Sequence, residues 1–258
     1  MNKIILFCFI FQLSCSGKES SKYGVEPIQN TSSSISSDIC AKFNALNIKI
    51  RDGLILKQDA LKEIEALLPT VKNYYYKNDG HNFEKNSWIF PVQGYNIKSI
   101  GGIEGNGFLI SGYNFFDGNK HKGHPAHDIF ISDRNQDCID DNTMKSVYIL
   151  SMTGGVVIST ESEWDTVSDL RGGKYIWIYD PNTSSLFYYG HNDRISVRLG
   201  DILIPGDTIG TVGRTGLNAF KKRSPTHLHL MQLQLDSNYY PRPVDFYNDL
   251  KGIRSDLR

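Results

Sequence analysis

The fold is decided by one stretch near the C-terminal end of the chain, His227-Leu228-His229-Leu230-Met231. Successive side chains of a β-strand point to opposite faces of the sheet, so this alternation predicts a strand with both imidazoles on one face. Two imidazoles placed in this way can contact one small site. Taken alone, the stretch is more typical of a half-exposed strand with two polar residues, so its meaning depends on the motifs around it.

Short apolar runs separated by turn signals continue this pattern upstream. We predict strands at residues 87–92, 128–132, 155–160, 175–179, 186–189 and 229–235. Gly200-Asp201 and Pro205-Gly206-Asp207 mark tight turns around short strands. We find no internal repeat. The fold class that follows is mainly β, an antiparallel β-sheet domain over residues 85–250.

A polar spacer and helical signals precede the predicted β domain. The Ser-rich composition of residues 15–37 predicts a flexible linker. Asp38 could cap a first helix. Apolar residues at helical spacing predict a second helix over Lys57–Leu68, which Pro69 would end. The sequence therefore predicts a small helical segment over residues 38–84 that carries no cluster of reactive side chains.

The first residues of the chain resemble the signal of a bacterial lipoprotein. The apolar run Ile4–Phe11 follows one positive charge, and it is too short for a transmembrane helix, which needs about 20 residues. Leu13-Ser14-Cys15 resembles the site at which a signal peptide, here residues 1–14, is removed and the Cys is lipidated. Gln12 departs from the usual aliphatic residue. Acyl chains on Cys15 would anchor an exported protein to a membrane surface of the bacterial cell envelope.

Length and charge limit the class of protein. The 258 residues allow one full-sized domain with tails, and we expect a monomer. Lys plus Arg number 28 and Asp plus Glu number 28, so the formal net charge is zero and we expect no nucleic-acid partner. Cys40 and Cys138 could form one disulfide in an exported protein or remain two buried thiols.

A second motif offers metal-binding chemistry, His124-Pro125-Ala126-His127-Asp128. It places an imidazole and a carboxylate four residues apart beside a predicted strand. Zinc prefers His nitrogen and carboxylate oxygen, and catalytic zinc sites use three protein ligands and keep one position open. Short His and Asp clusters are also common in loops, so this motif alone does not establish a site.

Together, and in this order, the motifs resemble those of the lysostaphin-type (LytM-like) zinc metallopeptidases. That family carries a His-x-x-x-Asp motif, then a Tyr-x-His-like element, then a His-x-His motif about a hundred residues after the first. The corresponding segments here are His124–Asp128, Tyr188–Asn192 and His227–His229. The resemblance extends over about residues 85–247. Ala126 departs from it, because the family often has Gly at that position.

The resemblance implies a role for each of five side chains. The metal ligands would be His124, Asp128 and His229, and the two catalytic residues that are not ligands would be His191 and His227. We assign His227 as the general base and His191 as an electrostatic stabiliser or acid, with the division between them left open. His127 matches no ligand position and is expected to point away from Asp128, either behind the ligands as a residue that supports them or at the surface. We expect His121 to be solvent-exposed.

The implied activity is zinc-dependent hydrolysis of peptide bonds in bacterial peptidoglycan, whose peptides would be the binding partner. Two alternatives remain open. The chain could be a non-enzymatic module that binds or activates other wall hydrolases, or a metallopeptidase that acts on secreted proteins.

An acidic loop suggests a second metal. Asp133–Asp141 places oxygen atoms at alternate positions, as calcium loops do, which predicts a Ca²⁺ site. Cys138 replaces the Gly expected at the sixth position, and a plain acidic surface loop is the alternative. Residues 133–148 and 161–172 resemble insertions that would flank the substrate groove.

Overall fold

Two antiparallel sheets organise the fold, and a computed structural model describes residues 31–253 of the chain, with side chains from Asp38 onward. The predicted signal peptide, residues 1–14, and the lipidation site Cys15 lie outside the described residues. No helix among the described residues has both the length and the apolar character that crossing a membrane requires.

Helices come first along the chain and strands follow. The helices are α1 (Thr31–Arg51), α2 (Lys57–Lys77) and a short α3 (Tyr247–Gly252), with 3-10 turns at Lys85–Ser87, Ile97–Ser99 and Phe115–Lys120. The strands are β1 (His127–Phe130), β2 (Tyr148–Leu150), β3 (Gly155–Glu161), β4 (Tyr175–Asp180), β5 (Ser185–Gly190), β6 (Asn192–Ile195), β7 (Ile202–Leu203), β8 (Thr208–Val212), β9 (His227–Leu235) and β10 (Pro241–Val244). The predicted fold class, mainly β with a small N-terminal helical part, is confirmed.

Strand β9 is the organising strand of the larger sheet. The strand order is β1-β9-β5-β4-β3-β7, and β10 also pairs with β9. The register places Asp128 of β1 opposite His229 of β9, and Gly190 of β5 opposite His229 on the other side. The smaller sheet has the order β2-β8-β6. The pairing of β9 with both neighbours therefore fixes where the two imidazoles of the deciding stretch lie.

The alternation along β9 separates two apolar layers. Leu228 and Leu230 are fully buried in a cluster shared with the smaller sheet. Met231 and Leu233 point to the other face and are buried in a cluster shared with α1 and α2. Because His227 and His229 alternate with the leucines of the first layer, they lie on the same face as the helices. The helices and the paired imidazoles therefore share one face of the large sheet.

Helix α2 does not end at Pro69, so that prediction was wrong. The helix continues to Lys77 with Pro69 inside it, and both Val71 and Tyr75 are buried beyond the proline. An internal proline costs about 3 kcal/mol. Burial of each apolar side chain of this size contributes about 1.5–3 kcal/mol. Tertiary packing of the last two turns therefore offsets the local cost.

Helix α1 begins earlier than the sequence indicates. It starts at Thr31, so it includes residues 31–37 of the segment predicted to be a flexible linker. Asp38 lies inside the helix and forms an ion pair with Lys42 at 2.6 Å, one turn later, rather than acting as a cap. Such i,i+4 pairs are typical of helix interiors.

The strand predicted at residues 87–92 is not formed as a regular strand. The segment runs alongside β2, with the Ile89 N–H bonded to the Met152 carbonyl at 3.0 Å and the Leu150 N–H bonded to the Pro91 carbonyl at 2.9 Å. Pro91 has no N–H to donate, so a continuous ladder cannot form there. The remaining predicted strands correspond to β1, β3, β4, β5 and β9.

Candidate metal centre

Three side chains converge at the junction of β1 and β9. His124 precedes β1, and its backbone is held by reciprocal hydrogen bonds with Leu109 at 2.7 and 2.8 Å. Asp128 and His229 face each other through the strand register. One nitrogen or oxygen atom from each of the three side chains lies within 4.8 Å of the other two. The structure thus brings together the three residues that the family resemblance implied as ligands.

The carboxylate of Asp128 is the centre of this cluster. His124 Nε2 lies 3.1 Å from Asp128 Oδ2, and His229 Nδ1 lies 2.9 Å from Asp128 Oδ1. The rings of His124 and His229 meet edge-on with centroids 4.8 Å apart. Two imidazole nitrogens and one carboxylate oxygen form a donor set that suits zinc.

A backbone carbonyl orients the imidazole of His124. The Nδ1 atom of His124 lies 3.0 Å from the carbonyl oxygen of Gly107. A carbonyl only accepts hydrogen bonds, so Nδ1 carries a proton and Nε2 is the atom directed at the cluster. His229 presents the opposite nitrogen, Nδ1, to Asp128.

The pKa values of the three side chains are shifted by burial and by their contacts with one another. Burial alone would raise the pKa of Asp128, but hydrogen bonds from His124 and His229, together with the charges of His229 and His227, hold it well below its usual range. Burial opposes protonation of His124, yet the hydrogen bond and charge of Asp128 raise its pKa overall. Burial lowers the pKa of His229. The carboxylate is therefore ionised, as a metal ligand must be.

Two further imidazoles, those of His191 and His227, lie beside the cluster. Their ring centroids are 4.8 Å apart, and the ring of His191 lies 5.4 Å from that of His229. His227 Nδ1 lies 2.7 Å from the Pro225 carbonyl, and His191 Nδ1 lies 2.8 Å from the Thr215 carbonyl. In both rings Nδ1 is therefore the protonated nitrogen, and Nε2 keeps its lone pair.

The surroundings of the His227 and His191 rings differ. His227 Nε2 lies 3.7 Å from Asp128 Oδ2. His191 is buried, and burial together with the charges of His227 and His229 lowers its pKa well below the usual value. The pair therefore offers one nitrogen beside a carboxylate and one imidazole that stays neutral.

Strained backbone supports His191. Its φ is +65°, a value that non-glycine residues rarely adopt, and its N–H donates to the Gly172 carbonyl at 2.9 Å. Gly216 has a φ of +114°, and a Cβ added there would lie 2.9 Å from His191 Nδ1. A side chain at this position would push the imidazole away from Thr215.

The carbonyl acceptors of Gly107, Thr215 and Pro225 were not predicted from the sequence. Every residue type has the same backbone carbonyl, whatever its side chain, so no residue type signals this role. The one signal that the sequence offers is Gly216, which directly follows Thr215.

His127 lies apart from the cluster of His124, Asp128 and His229, as its strand position predicts. It is buried rather than at the surface, with its ring packed between Phe108 and Phe246. Its Nε2 lies 3.1 Å from Asp245 Oδ1. This contact ties the start of β1 to the segment before α3.

His121 is not solvent-exposed, so that prediction was wrong. It is half-buried and its ring meets Tyr113 edge-on with centroids 4.9 Å apart. The guanidinium of Arg171 donates to the His121 carbonyl. The loop folds back over the sheet, and this places His121 in the lining of the cavity beside the cluster.

The predicted Ca²⁺ site in Asp133–Asp141 is not supported. Asp133 accepts hydrogen bonds from the Asp137 and Cys138 N–H groups at 3.1 and 2.9 Å and from the Thr226 hydroxyl at 2.6 Å. Within the described part of the chain, His124, Asp128 and His229 are the one group of three such side chains that could hold a metal. The loop carboxylates instead bind protein donors. Cys138, like Cys40, is a free thiol.

Comparison with known proteins gives a family match in the sequence. Residues 134–241 match the model described as Peptidase family M23. The matched residues include His191, His227 and His229, whereas His124 and Asp128 precede them. No curated protein matches the chain significantly.

Several solved structures are similar to the chain. A LytM protein from Ruminococcus gnavus is 25% identical over 65% of this chain and 61% of its own, with a TM-score of 0.44. The catalytic domain of lysostaphin from Staphylococcus simulans is 23% identical over 52% of this chain and 81% of its own, with a TM-score of 0.36. A zinc-containing peptidase from Vibrio cholerae is 22% identical over 67% of this chain and 41% of its own, with a TM-score of 0.40. The chain thus spans about three fifths of the LytM protein and two fifths of the Vibrio peptidase.

Proposed function

We propose that the chain is a zinc-dependent endopeptidase that hydrolyses peptide bonds in bacterial peptidoglycan. The premise is the match of residues 134–241 to the model described as Peptidase family M23. One observation carries the proposal. Three donor atoms of the kind that zinc prefers lie within 4.8 Å of one another, beside two imidazoles held in a fixed tautomer.

The donor set fits zinc in both its chemistry and its protonation. His124 Nε2, an Asp128 carboxylate oxygen and His229 Nδ1 would hold the ion, which leaves a position open in a four-coordinate site. Zinc bound there would supply Lewis acidity toward the scissile carbonyl and toward water. Hydrogen bonds already hold two of the three side chains against the third, so little ordering is needed to form the site.

His227 is the residue that we assign to move the proton. Its Nε2 carries a lone pair because Nδ1 donates to the Pro225 carbonyl, so it can accept a proton from the attacking water. The protonated ring can then donate that proton to the nitrogen that leaves. Asp128 Oδ2, 3.7 Å away, would attract the positive charge in between.

His191 presents a lone pair of its own to the same cavity. In the tautomer that Thr215 holds, its Nε2 can accept a hydrogen bond, so it can orient the water. It can donate to negative charge that develops on the carbonyl oxygen only after it gains a proton. We therefore propose His191 as the positioning partner, and separate variants of the two histidines test the division.

The cell envelope is the place that we propose for this activity. The lipoprotein-like start of the sequence supports export and anchoring at a membrane surface through Cys15. An anchored peptidase would act beside the peptidoglycan peptides that we propose as its partner. Each of these statements can be tested separately from the chemistry.

The first experiment measures zinc and activity together. Purified protein is analysed for zinc by mass spectrometry and then incubated with purified peptidoglycan, and new amino termini are identified by mass spectrometry. His229→Ala should lose zinc and activity together. His227→Ala should keep zinc and lose at least about 100-fold in turnover, which is typical of removing a general base. His81→Ala changes an exposed histidine outside the cluster and should match the parent protein.

The outcomes separate the alternatives. Protein that holds no stoichiometric zinc and cleaves nothing would support a non-enzymatic binding module. Zinc-bearing protein that cleaves secreted proteins and leaves peptidoglycan intact would support the second alternative. A His227→Ala protein that turns over at the parent rate would show that the general base is wrongly assigned.

A further inference from the structure

The cavity beside the metal centre continues beneath helix α1. Its volume is about 290 Å³, and its lining includes the metal ligands at one end and Asn47, Ile50 and Arg51 of α1 at the other. Met231 follows His229 by two residues on β9 and also lines the cavity. The helix thus covers the sheet face immediately beyond the ligands.

At the metal end of this lining, His124 and Asp128 are the more exposed side chains, whereas His191 and His227 beside them are buried. The side chain of His124 is 34% exposed and that of Asp128 is 22% exposed. Ile50 is 3% exposed and Trp177 is 7% exposed. The cavity is therefore accessible beside His124 and Asp128, and Ile50 and Trp177 are buried in its lining.

The helix end of the cavity is closed by contacts that α1 makes. Arg51 Nη1 lies 2.7 Å from Glu161 Oε2, and Asn47 Nδ2 lies 2.9 Å from Ser159 Oγ, which joins the helix to β3. Gly118 abuts the last turn of α1, because a Cβ added there would lie 2.5 Å from the Arg51 carbonyl oxygen. Only a glycine permits this approach.

The walls of the cavity are also joined to each other. Asn119 Nδ2 donates to the Asp169 carbonyl at 3.0 Å, and the Arg171 N–H donates to Asn119 Oδ1 at 2.9 Å. These reciprocal bonds connect the loop before β1 with the loop after β3.

Aromatic rings line much of the closed end, beside the polar side chains of Asn47 and Arg51. Phe115 meets Trp177 edge-on at 5.8 Å, and Trp177 packs on Tyr188 at 4.8 Å between ring centroids. The charge at this end belongs to Arg51, which is paired with both Asp52 and Glu161. A charged group entering here would lose its hydration without gaining a free partner.

We propose that this end of the cavity is a closed specificity pocket for one uncharged apolar side chain, of the size of leucine or phenylalanine, next to the bond that is cut. The inference rests on the proposed peptidase function. The whole cavity, with the metal end included, has a volume of about 290 Å³, just under the range of about 300–1,000 Å³ for small-ligand pockets. Its closed end is only part of that space, which is the scale of a single side chain. Such a pocket predicts that glycine at this position is a poor substrate residue.

The test compares matched peptides that differ at one residue beside the cleaved bond. Zinc-loaded protein is incubated with peptides carrying Gly, Ala, Leu, Phe, Lys or Asp at each position in turn, and products are identified by mass spectrometry. At one position we expect Leu or Phe to exceed Gly by at least about 10-fold in kcat/KM, since hydrophobic pockets discriminate by about 10–200-fold. Lys and Asp should be rejected.

Variants of α1 assign the preference to the pocket. Ile50→Phe fills the closed end and should lower the Leu-to-Gly ratio by at least about 10-fold. Lys49→Phe adds the same ring at an exposed position one residue earlier and should leave the ratio unchanged. Thermal unfolding and zinc content confirm that both variants are folded.

A binding measurement separates this inference from the proposed function. N-acetyl leucine amide and N-acetyl glycine amide are titrated into the parent protein and Ile50→Phe, and the indole N–H signal of Trp177 is followed by NMR. Leucine amide should shift it in the parent protein alone. Cleavage without a preference, or a preference that Ile50→Phe preserves, overturns the pocket. No cleavage together with selective leucine amide binding retains the pocket and overturns the peptidase.

Discussion

Replacing Gly216 by alanine should destabilise the fold and release His191 from its carbonyl anchor. The residue has a φ of +114°, and an added Cβ would lie 2.9 Å from His191 Nδ1 and 3.0 Å from the Gly173 nitrogen. It would also meet the Arg171 carbonyl oxygen. Two of these neighbours are backbone atoms, which cannot rotate away as the end of a side chain can.

The expected cost has two parts. An L-residue held at such a φ costs about 1–3 kcal/mol. Overpacking of a filled site adds about 1–3 kcal/mol. A loss of about 4 kcal/mol in the free energy of unfolding would lower Tm by about 8–16 °C, at about 2–4 °C for each kcal/mol in a domain of this size.

A second glycine provides the matched control. Gly53 has a φ of +69°, but no atom lies within 4 Å of a Cβ added there. Gly53→Ala should therefore show the backbone part alone, about 1 kcal/mol or about 2–4 °C. Both variants are measured by calorimetry, and the His191 ring is followed by NMR. Equal shifts in Tm for the two variants would refute the steric reasoning.

Three further predictions concern charge, packing and metal. Burial raises the pKa of Asp180 to about 6, against hydrogen bonds from Thr183 and the Asn182 N–H that lower it. A carboxyl with a raised folded pKa contributes stability that is fully present below its unfolded pKa, near 4, and is lost as pH rises through about 6. In urea unfolding, the free energy of unfolding of Asp180→Asn, relative to that of the parent protein, should therefore rise by about 3 kcal/mol from pH 4 to pH 8. An equal pH dependence of the two proteins would contradict the assignment. Leu233→Ala, at a fully buried position under the helices, should lower the free energy of unfolding by about 2–5 kcal/mol, whereas Leu54→Ala at a 73% exposed position should change it by less than about 0.5 kcal/mol. Removal of metal with a chelator should abolish peptidase activity and lower Tm. Zinc added back at about 1,000 times its Kd should raise the free energy of unfolding by about 4 kcal/mol. An unchanged Tm would mean that zinc binds the folded chain no more tightly than the unfolded chain.

The sequence predicts the strands well where alternation and burial agree. Leu228 and Leu230 alternate with His227 and His229, and the resulting strand lies where the pattern places it. The predictions fail at two proline residues: the helix continues past Pro69, where we predicted its end, and the strand predicted around Pro91 is not formed. Pro69 breaks the local rule because residues after it are buried against the sheet, and Pro91 interrupts a ladder that the apolar run around it would otherwise complete.

The candidate site divides in the same way. Side chains with distinctive chemistry, such as Asp128 and His229, are visible in the sequence as motifs. Carbonyl groups, such as that of Thr215, hold the imidazoles but have no signature in residue type. Helix α1 carries no reactive cluster, and yet its last turn lines the cavity, because only the folded sheet shows which face it covers.

The shared sheet face also has an evolutionary consequence. Leu233 and Leu235 of β9 are buried in the same apolar cluster as Phe43 and Leu46 of α1, and they follow His229 on one strand. A larger or smaller residue in the helices would alter the packing of the strand that carries His229. The helical and β parts of this chain are therefore expected to change in concert, and inheritance of the β part without the helices would leave β9 without its cover.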